Sequence, residues 1–304
     1  MQVLDSKRSL LRVGWFCCIA LALEPVAWAA NSALDTARIE ELTGVKGKLN
    51  EKEGVFKVTL PRTDIKADIA GVTMNPALGL GAWAAFTRAG DHTMVMGDMV
   101  LLEGQVNPVM STALDNGLEV TALHNHFLWD SPKIMFMHIG GMGDEAKLAQ
   151  AVGKVFGKLK ETRDTPPAIP IADIDPAKTS LDPKKIDAII GASGALGNGV
   201  YKIVIGRKTQ MAGHEVGEEM GVNTWAAFAG SDGQAVVDGD FAMLENEVQG
   251  VLKALRGADI HIVAIHNHMI GESPRYMFLH YWGVGSTLQL AKALKAALDT
   301  QGKP

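Results

Sequence analysis

Cysteine is almost missing from this chain. Cys17 and Cys18 are the only two, and both fall in a short apolar stretch near the start. Beyond that stretch, disulfides, thiolate nucleophiles and thiolate metal ligands are excluded. A cationic surplus is also missing: 29 lysines and arginines face 34 aspartates and glutamates, a formal net charge of −5. Such a balance argues against sequence-independent nucleic-acid binding. Long hydrophobic runs are lacking as well. Residues 13–23 form a run too short for an ordinary span, and no later segment is longer and apolar enough to cross a membrane.

What stands at the start reads as an export signal. Lys7, Arg8 and Arg12 precede the apolar run from Val13 to Leu23, and Ala27-Trp28-Ala29 supplies a small-x-small cleavage pattern. Residues 1–30 are therefore expected to be a signal peptide, with the mature protein periplasmic or secreted. Gly14-Trp15-Phe16 before Cys17 does not resemble a lipobox, which makes a lipoprotein the weaker alternative.

The dominant motif is present twice. His124-Asn125-His126 with His138 and His266-Asn267-His268 with His280 both read H-N-H-x11-H, 142 residues apart. From His124 to Ala149 against His266 to Ala291, 12 of 26 positions are identical without a gap. Upstream, Trp83-Ala84-Ala85-Phe86 answers Trp225-Ala226-Ala227-Phe228, Gly97-Asp98 answers Gly239-Asp240, and Glu103 answers Glu245. Arg62 answers Arg207 after a small slip. The chain reads as a tandem duplication. The first repeat domain spans residues 31–161, a proline-rich linker 162–182, and the second repeat domain 183–304. Each repeat is long enough to bury a core of its own.

The expected fold class is α+β, with a mainly antiparallel sheet and flanking helices in each of two homologous domains. A short helix is predicted from Ala37 to Thr43, and strands over 54–62, 83–87, 93–101 and 118–126. A helix over 103–114 is weakened by Pro108, and amphipathic helices are expected over 144–159 and 286–298. On a strand, His124 and His126 project from one face. A hairpin centred on Pro132 would set His126 opposite His138, and one centred on Pro274 would set His268 opposite His280. Ser131-Pro132 also suits a helix start, which leaves that geometry open.

Three imidazoles at fixed spacing suit a borderline transition metal. The predicted ligands are His124, His126 and His138 in the first repeat and His266, His268 and His280 in the second. The expected cofactor is a divalent transition metal, zinc first, with copper, nickel, iron and manganese open. Glu103 and Glu245 are candidate catalytic bases or additional ligands. Asp98 and Asp240 each follow a glycine, which suggests either a turn or a site carboxylate. Asn125 and Asn267 suggest turn-forming or ligand-orienting roles. Lys133, Arg275, Arg62 and Arg207 are candidate anion-holding cations, Trp83 and Trp225 read as core aromatics, and Met94, Met96, Met135 and Met137 as core filler or a copper(I) cluster.

The paired A-[LI]-H-N-H and S-P-[KR]-x-M-F-x-H segments resemble the bacterial LppY/LpqO family, a domain of unknown function found in exported proteins. That resemblance implies an extracytoplasmic setting and no particular reaction. Three readings stay open: a metal-binding protein, a metal-dependent hydrolase in which a glutamate assists metal-activated water, and a non-metal binding module with a buried histidine network. The expected partner is a metal or small molecule, without nucleic acid; the sequence points to no protein partner. The contiguous letters H-N-H do not make an HNH nuclease, whose residues are dispersed and whose chains carry a basic surface.

Overall fold

The computed structural model describes residues 33–302, so the expected signal peptide lies outside the described residues. The first copy runs α1 (Thr36–Thr43), β1 (Gly47–Asn50), β2 (Val55–Pro61), β3 (Asp68–Ile69), β4 (Val72–Thr73), β5 (Gly81–Ala89) and β6 (His92–Leu102). It continues with α2 (Val106–Asp115), β7 (Glu119–His124), β8 (Asp130–Ser131), β9 (Ile134–Gly143) and α3 (Glu145–Glu161). The second copy begins with α4 (Pro183–Ile190), β10 (Ala195–Gly197), β11 (Val200–Gly206), β12 (Thr209–Met211), β13 (His214–Val216) and β14 (Asn223–Gly230). It ends with β15 (Ala235–Leu244), α5 (Val248–Gly257), β16 (His261–His266), β17 (Tyr276–Gly285) and α6 (Thr287–Leu298). Between α3 and α4 only a short 3-10 turn, Pro176–Lys178, interrupts irregular chain.

Local chemistry explains the boundaries. Asp144 caps α3 by accepting from the Lys147 amide, and Ser286 caps α6 in a reciprocal pair with Gln289. Pro108 does not break α2, because it stands in the first turn, where its missing N–H has no intrahelical acceptor to lose. No described helix is long and apolar enough to cross a membrane.

The two copies do not build separate cores. Twelve strands form one antiparallel sheet in the order β1-β2-β5-β6-β9-β7-β16-β17-β15-β14-β11-β10. The second half of that order mirrors the first, and β7 joins β16 in the middle through Leu123 opposite Ile265. A single core gathers apolar residues from all six helices and from strands of both copies. Length permits two independent cores, but the unpaired edges of β7 and β16 satisfy each other instead.

The seam carries a reciprocal hydrogen-bond exchange. Both β7 and β16 bulge against their hairpin partners, between Val120 and Ala122 and between Ile262 and Ala264. The Val120 N–H is taken up by Gln249 Oε1 of the second copy at 3.0 Å, and the Ile262 N–H by Asn107 Oδ1 of the first at 2.9 Å. Each copy thus completes the other's backbone.

On the opposite face, two smaller apolar clusters form under the segments between β2 and β5 and between β11 and β14. Val100, Ile134 and Phe136 pack with Ile65, Ala67 and Leu80 in the first copy; Ala242, Tyr276 and Phe278 pack with Val216 and Val222 in the second. Arg62 and Arg207 pin these segments and are buried, so neither is free to hold a substrate anion. Arg62 donates to Val100 O, to Asp64, and to Gln105 Oε1 at 2.9 Å. Arg207 forms a bidentate pair with Glu247 at 3.0 and 3.1 Å.

Candidate metal centre

β9 is the axis of the first cluster. His138 lies opposite Asp98 of β6 on one side and opposite Ala122 of β7 on the other. Period-two alternation puts His138 on the same face as Phe136 and Ile134, away from the helices. Met135 and Met137 fall on the helical side, where Met137 is fully buried, so these two are core filler and not a copper(I) cluster with the histidines.

The hairpin differs from the sequence expectation in register. His124 pairs with Phe136, which centres the turn on position 130, two residues earlier than Pro132. The strand ends at His124 because Asn125 folds its amide onto Phe127 O at 2.7 Å, starting the loop. Asp130 and Ser131 then pair with β3. The second copy repeats each feature, with His266 opposite Phe278 and Asn267 bonded to Met269 O at 2.7 Å. The asparagines are turn formers. His126 is therefore not opposite His138; it leaves the loop and stacks on the Phe136 ring, centroids 3.4 Å apart and planes 4° from parallel. His268 stacks on Phe278 at 3.5 Å and 7°.

The three imidazoles of each copy nevertheless gather. His124 Nε2 and His138 Nε2 are 3.1 Å apart, close to the separation of two nitrogens bound to one zinc at 2.0–2.1 Å. Ring centroids of His124 lie 5.1 Å from His126 and 5.2 Å from His138; those of His266 lie 5.1 Å from His268 and 4.8 Å from His280. His124 and His266 each turn Nδ1 toward the following asparagine's carbonyl at 3.4 Å, which leaves Nε2 for the cluster. Among the described residues, no group of three or more histidines, cysteines, aspartates or glutamates is arranged, as it stands, so that it could hold a metal ion.

The carboxylate at the cluster is aspartate. Asp98 is in the middle of β6, with Trp83 opposite on β5 and His138 opposite on β9. Asp240 has Trp225 and His280 in the same places. Neither aspartate forms a turn. The preceding glycine answers a packing demand: a Cβ at Gly97 would stand 2.6 Å from Trp83 O, and one at Gly239 would stand 2.1 Å from the Tyr281 hydroxyl. Asp98 and Asp240 are 9% and 3% exposed, and Oδ1 of each is buried without a hydrogen-bond partner. Asp240 Oδ2 faces His268 Nε2 at 3.4 Å and His280 Nδ1 at 3.8 Å.

Burial sets the electrostatics. It pushes the Asp240 carboxyl up to about 6, partly opposed by His280. It also raises Asp98, against the pull of His138, His126, His124 and Lys57. Burial lowers His126, His266 and His268, each with a smaller contribution from a neighbouring imidazole. The pocket thus favours neutral forms of both partners: a cation placed among them would find imidazoles without a proton to displace, and would have to drive the proton from a carboxyl whose burial favours keeping it.

Glu103 and Glu245 are not brought to the histidines. Asp98 and His138 are four pairing positions from Leu102 and Ile134, so Glu103 begins about 13 Å or more along the strand. Glu245 is exposed and lies 3.8 Å from Arg275. Conversely, Trp83 and Trp225 are half-buried walls beside the aspartates, with Lys57 and Lys202 over their rings at 4.0 and 4.4 Å. Phe136 and Phe278, whose role the sequence alone does not indicate, each carry one imidazole of the cluster. The signal for all of these was their recurrence in register in both copies.

Fold and site together define a two-copy protein in which each copy gathers three imidazoles and sets a buried aspartate opposite one of them across the sheet. The chain belongs to the family described as Domain of Unknown Function (DUF1259), matched over residues 37–158 and again over 184–300. No curated protein matches it. A crystal structure of a trimeric bacterial microcompartment shell protein, PduB, aligns over 84% of this chain and 89% of that one, at 13% identity and a TM-score of 0.23. A superposition that loose says nothing about fold or function here.

Proposed function

We propose that this is an exported metal-binding protein, periplasmic or secreted, with two homologous domains holding one divalent transition metal each. His124, His126, His138 and Asp98 would hold the first ion, and His266, His268, His280 and Asp240 the second. The observation that carries this reading is the pair of buried aspartates, each opposite a cluster histidine on the neighbouring strand and each with an unpartnered Oδ1, with Asp240 Oδ2 also facing two imidazoles. A buried carboxylate oxygen without a partner costs roughly 1–3 kcal/mol or more and calls for an ion or water. Three nitrogens and one oxygen favour zinc first, with copper, nickel, iron or manganese accommodated by the same donor types. The LppY/LpqO-like motifs agree with an envelope setting.

Elemental analysis of the mature protein should give up to two ions per chain, and one after His126 and His138 are both replaced by alanine. Absence of metal from the parent, with no thermal shift on adding any of these five ions, would overturn the reading in favour of a plain histidine network.

A metal-dependent hydrolase is the second reading. It is favoured by the solvent access of the site: the His268 and His280 side chains are 34% and 41% exposed. A bound metal would supply Lewis acidity. The buried aspartates, and not Glu103 or Glu245, are the carboxylates in reach. Turnover of ester or phosphoester substrates that depends on metal loading distinguishes this reading from simple binding.

A further inference from the structure

A cavity between the copies is lined by residues of both copies and of the linker, none of them a proposed metal ligand. About 660 Å³ in volume, it falls in the range of small-molecule sites. Its floor includes Trp282 of β17 directly opposite His261 of β16. The linker forms one wall, with Pro167 seated on Gly104: a Cβ there would stand 2.7 Å from the Pro167 Cβ. Position 246, the counterpart of Gly104, is asparagine.

The charges in this cleft behave differently from their counterparts. Glu245 and Arg275 approach each other to 3.8 Å on the surface. Glu103 and Lys133 occupy the equivalent positions and both line the cleft, yet among the described residues neither side chain has an ion-pair or hydrogen-bond partner. Arg256 is already satisfied by Ser111 Oγ at 3.1 Å and Ile260 O at 2.6 Å. Two opposite charges therefore remain open beside exposed apolar surface: Ile169 is 67% exposed and Trp282 37%.

We propose that this cleft binds a small zwitterion with an apolar or aromatic side group, an amino acid or a short unblocked peptide. Its carboxylate meets Lys133, its ammonium meets Glu103, and its side group rests on Trp282 and Ile169. The proposal does not depend on metal binding.

Calorimetric titration of the mature protein with L-tryptophan and with L-phenylalanyl-L-phenylalanine tests it. A single saturable site is expected for at least one probe. Lys133→Met and Glu103→Gln should each weaken binding about tenfold or more, as loss of one charge-assisted contact does. Blocking the probe's amine or carboxyl should do the same, and Gly104→Leu, which dislodges Pro167, should abolish binding. The His126→Ala, His138→Ala double variant should bind as the parent does. No heat at millimolar probe, equal binding by indole-3-propionate, indifference to both charge variants, or loss of binding in the histidine variant would each overturn the proposal.

Discussion

Leu123 pairs with Ile265 across the middle of the sheet, and each is the other's counterpart 142 positions away. A pseudo-twofold axis therefore passes between β7 and β16, normal to the sheet. Both residues are buried on the helical side, so their neighbours His124 and His266 emerge together on the other face. As diagonal cross-strand neighbours they are about 7–8 Å apart at Cα. The duplication thus sets the two histidine clusters side by side.

The reciprocal amides at the seam should matter energetically. Asn107→Ala leaves the buried Ile262 N–H without an acceptor, and Gln249→Ala does the same to Val120. Each should cost about 1–3 kcal/mol in urea unfolding. A cost near zero for both would mean that water reaches the bulges.

Asp240 makes stability depend on pH. Its folded-state value of about 6 lies above the ordinary 3.8, so its favourable contribution is present below about 4 and lost as pH rises through 6. The lowered histidines act in the opposite sense, losing their contribution as pH falls, and they are common to parent and variant. Metal-free Asp240→Asn should therefore gain on the parent between pH 5 and 7.5, melting a few degrees higher at the upper value. Roughly 2–4 °C per kcal/mol applies for a chain of this size. A melting-temperature gap that stays constant with pH would contradict this assignment.

The glutamates and aspartates should separate cleanly. Glu245→Gln breaks only an exposed contact with Arg275 and should change stability by less than about 0.5 kcal/mol. Metal content should not change either. Asp240→Asn should lower metal occupancy in the second copy. If the glutamine variant lost metal and the asparagine variant kept it, the carboxylate assignment would be reversed.

Arg207 and Glu247 form a buried pair whose first-copy counterpart is Arg62 with Gln105. Arg207→Met strands a buried carboxylate and should cost about 3–5 kcal/mol. Glu247→Gln keeps an acceptor for the guanidinium, as Gln105 does for Arg62, but lacks the carboxylate that Asp64 adds there; retaining that hydrogen bond, it should still cost less than Arg207→Met. Chemical denaturation of the two variants in parallel checks the order.

Phe136 and Phe278 should set the pose of one imidazole in each cluster. Phe136→Leu keeps the back-face cluster apolar but removes the flat surface under His126. It should weaken the first metal site while the second, over Phe278, stays as it was, read by metal titration with the two equivalents resolved.

Much of this was legible one-dimensionally. The helices near 36–43, 145–161 and 287–298 and the strands near 55–61, 81–89 and 92–102 follow from periodicity and caps, which are local properties. The histidines were found because a repeat in register marks positions under a shared constraint. Glu103 was singled out by the same signal, yet it lies beyond the strand end. Recurrence shows that a position is constrained; it does not show by what. For Asp98 the sequence leaves a turn and a site carboxylate both open, because Gly-Asp is turn chemistry, and only the Trp83 carbonyl beside Gly97 reveals the packing reason for that glycine.

The sequence by itself determined that the chain is a duplication with three histidines in each copy, because spacing and identity are properties of a line. Which residues meet depended on pairing register. A two-residue shift of the hairpin centre moved His126 from opposite His138 onto Phe136, and strand pairing placed Asp98 beside His138. The merging of two repeats into one twelve-stranded sheet was likewise decided in three dimensions, where β7 and β16 each needed an edge and found the other's.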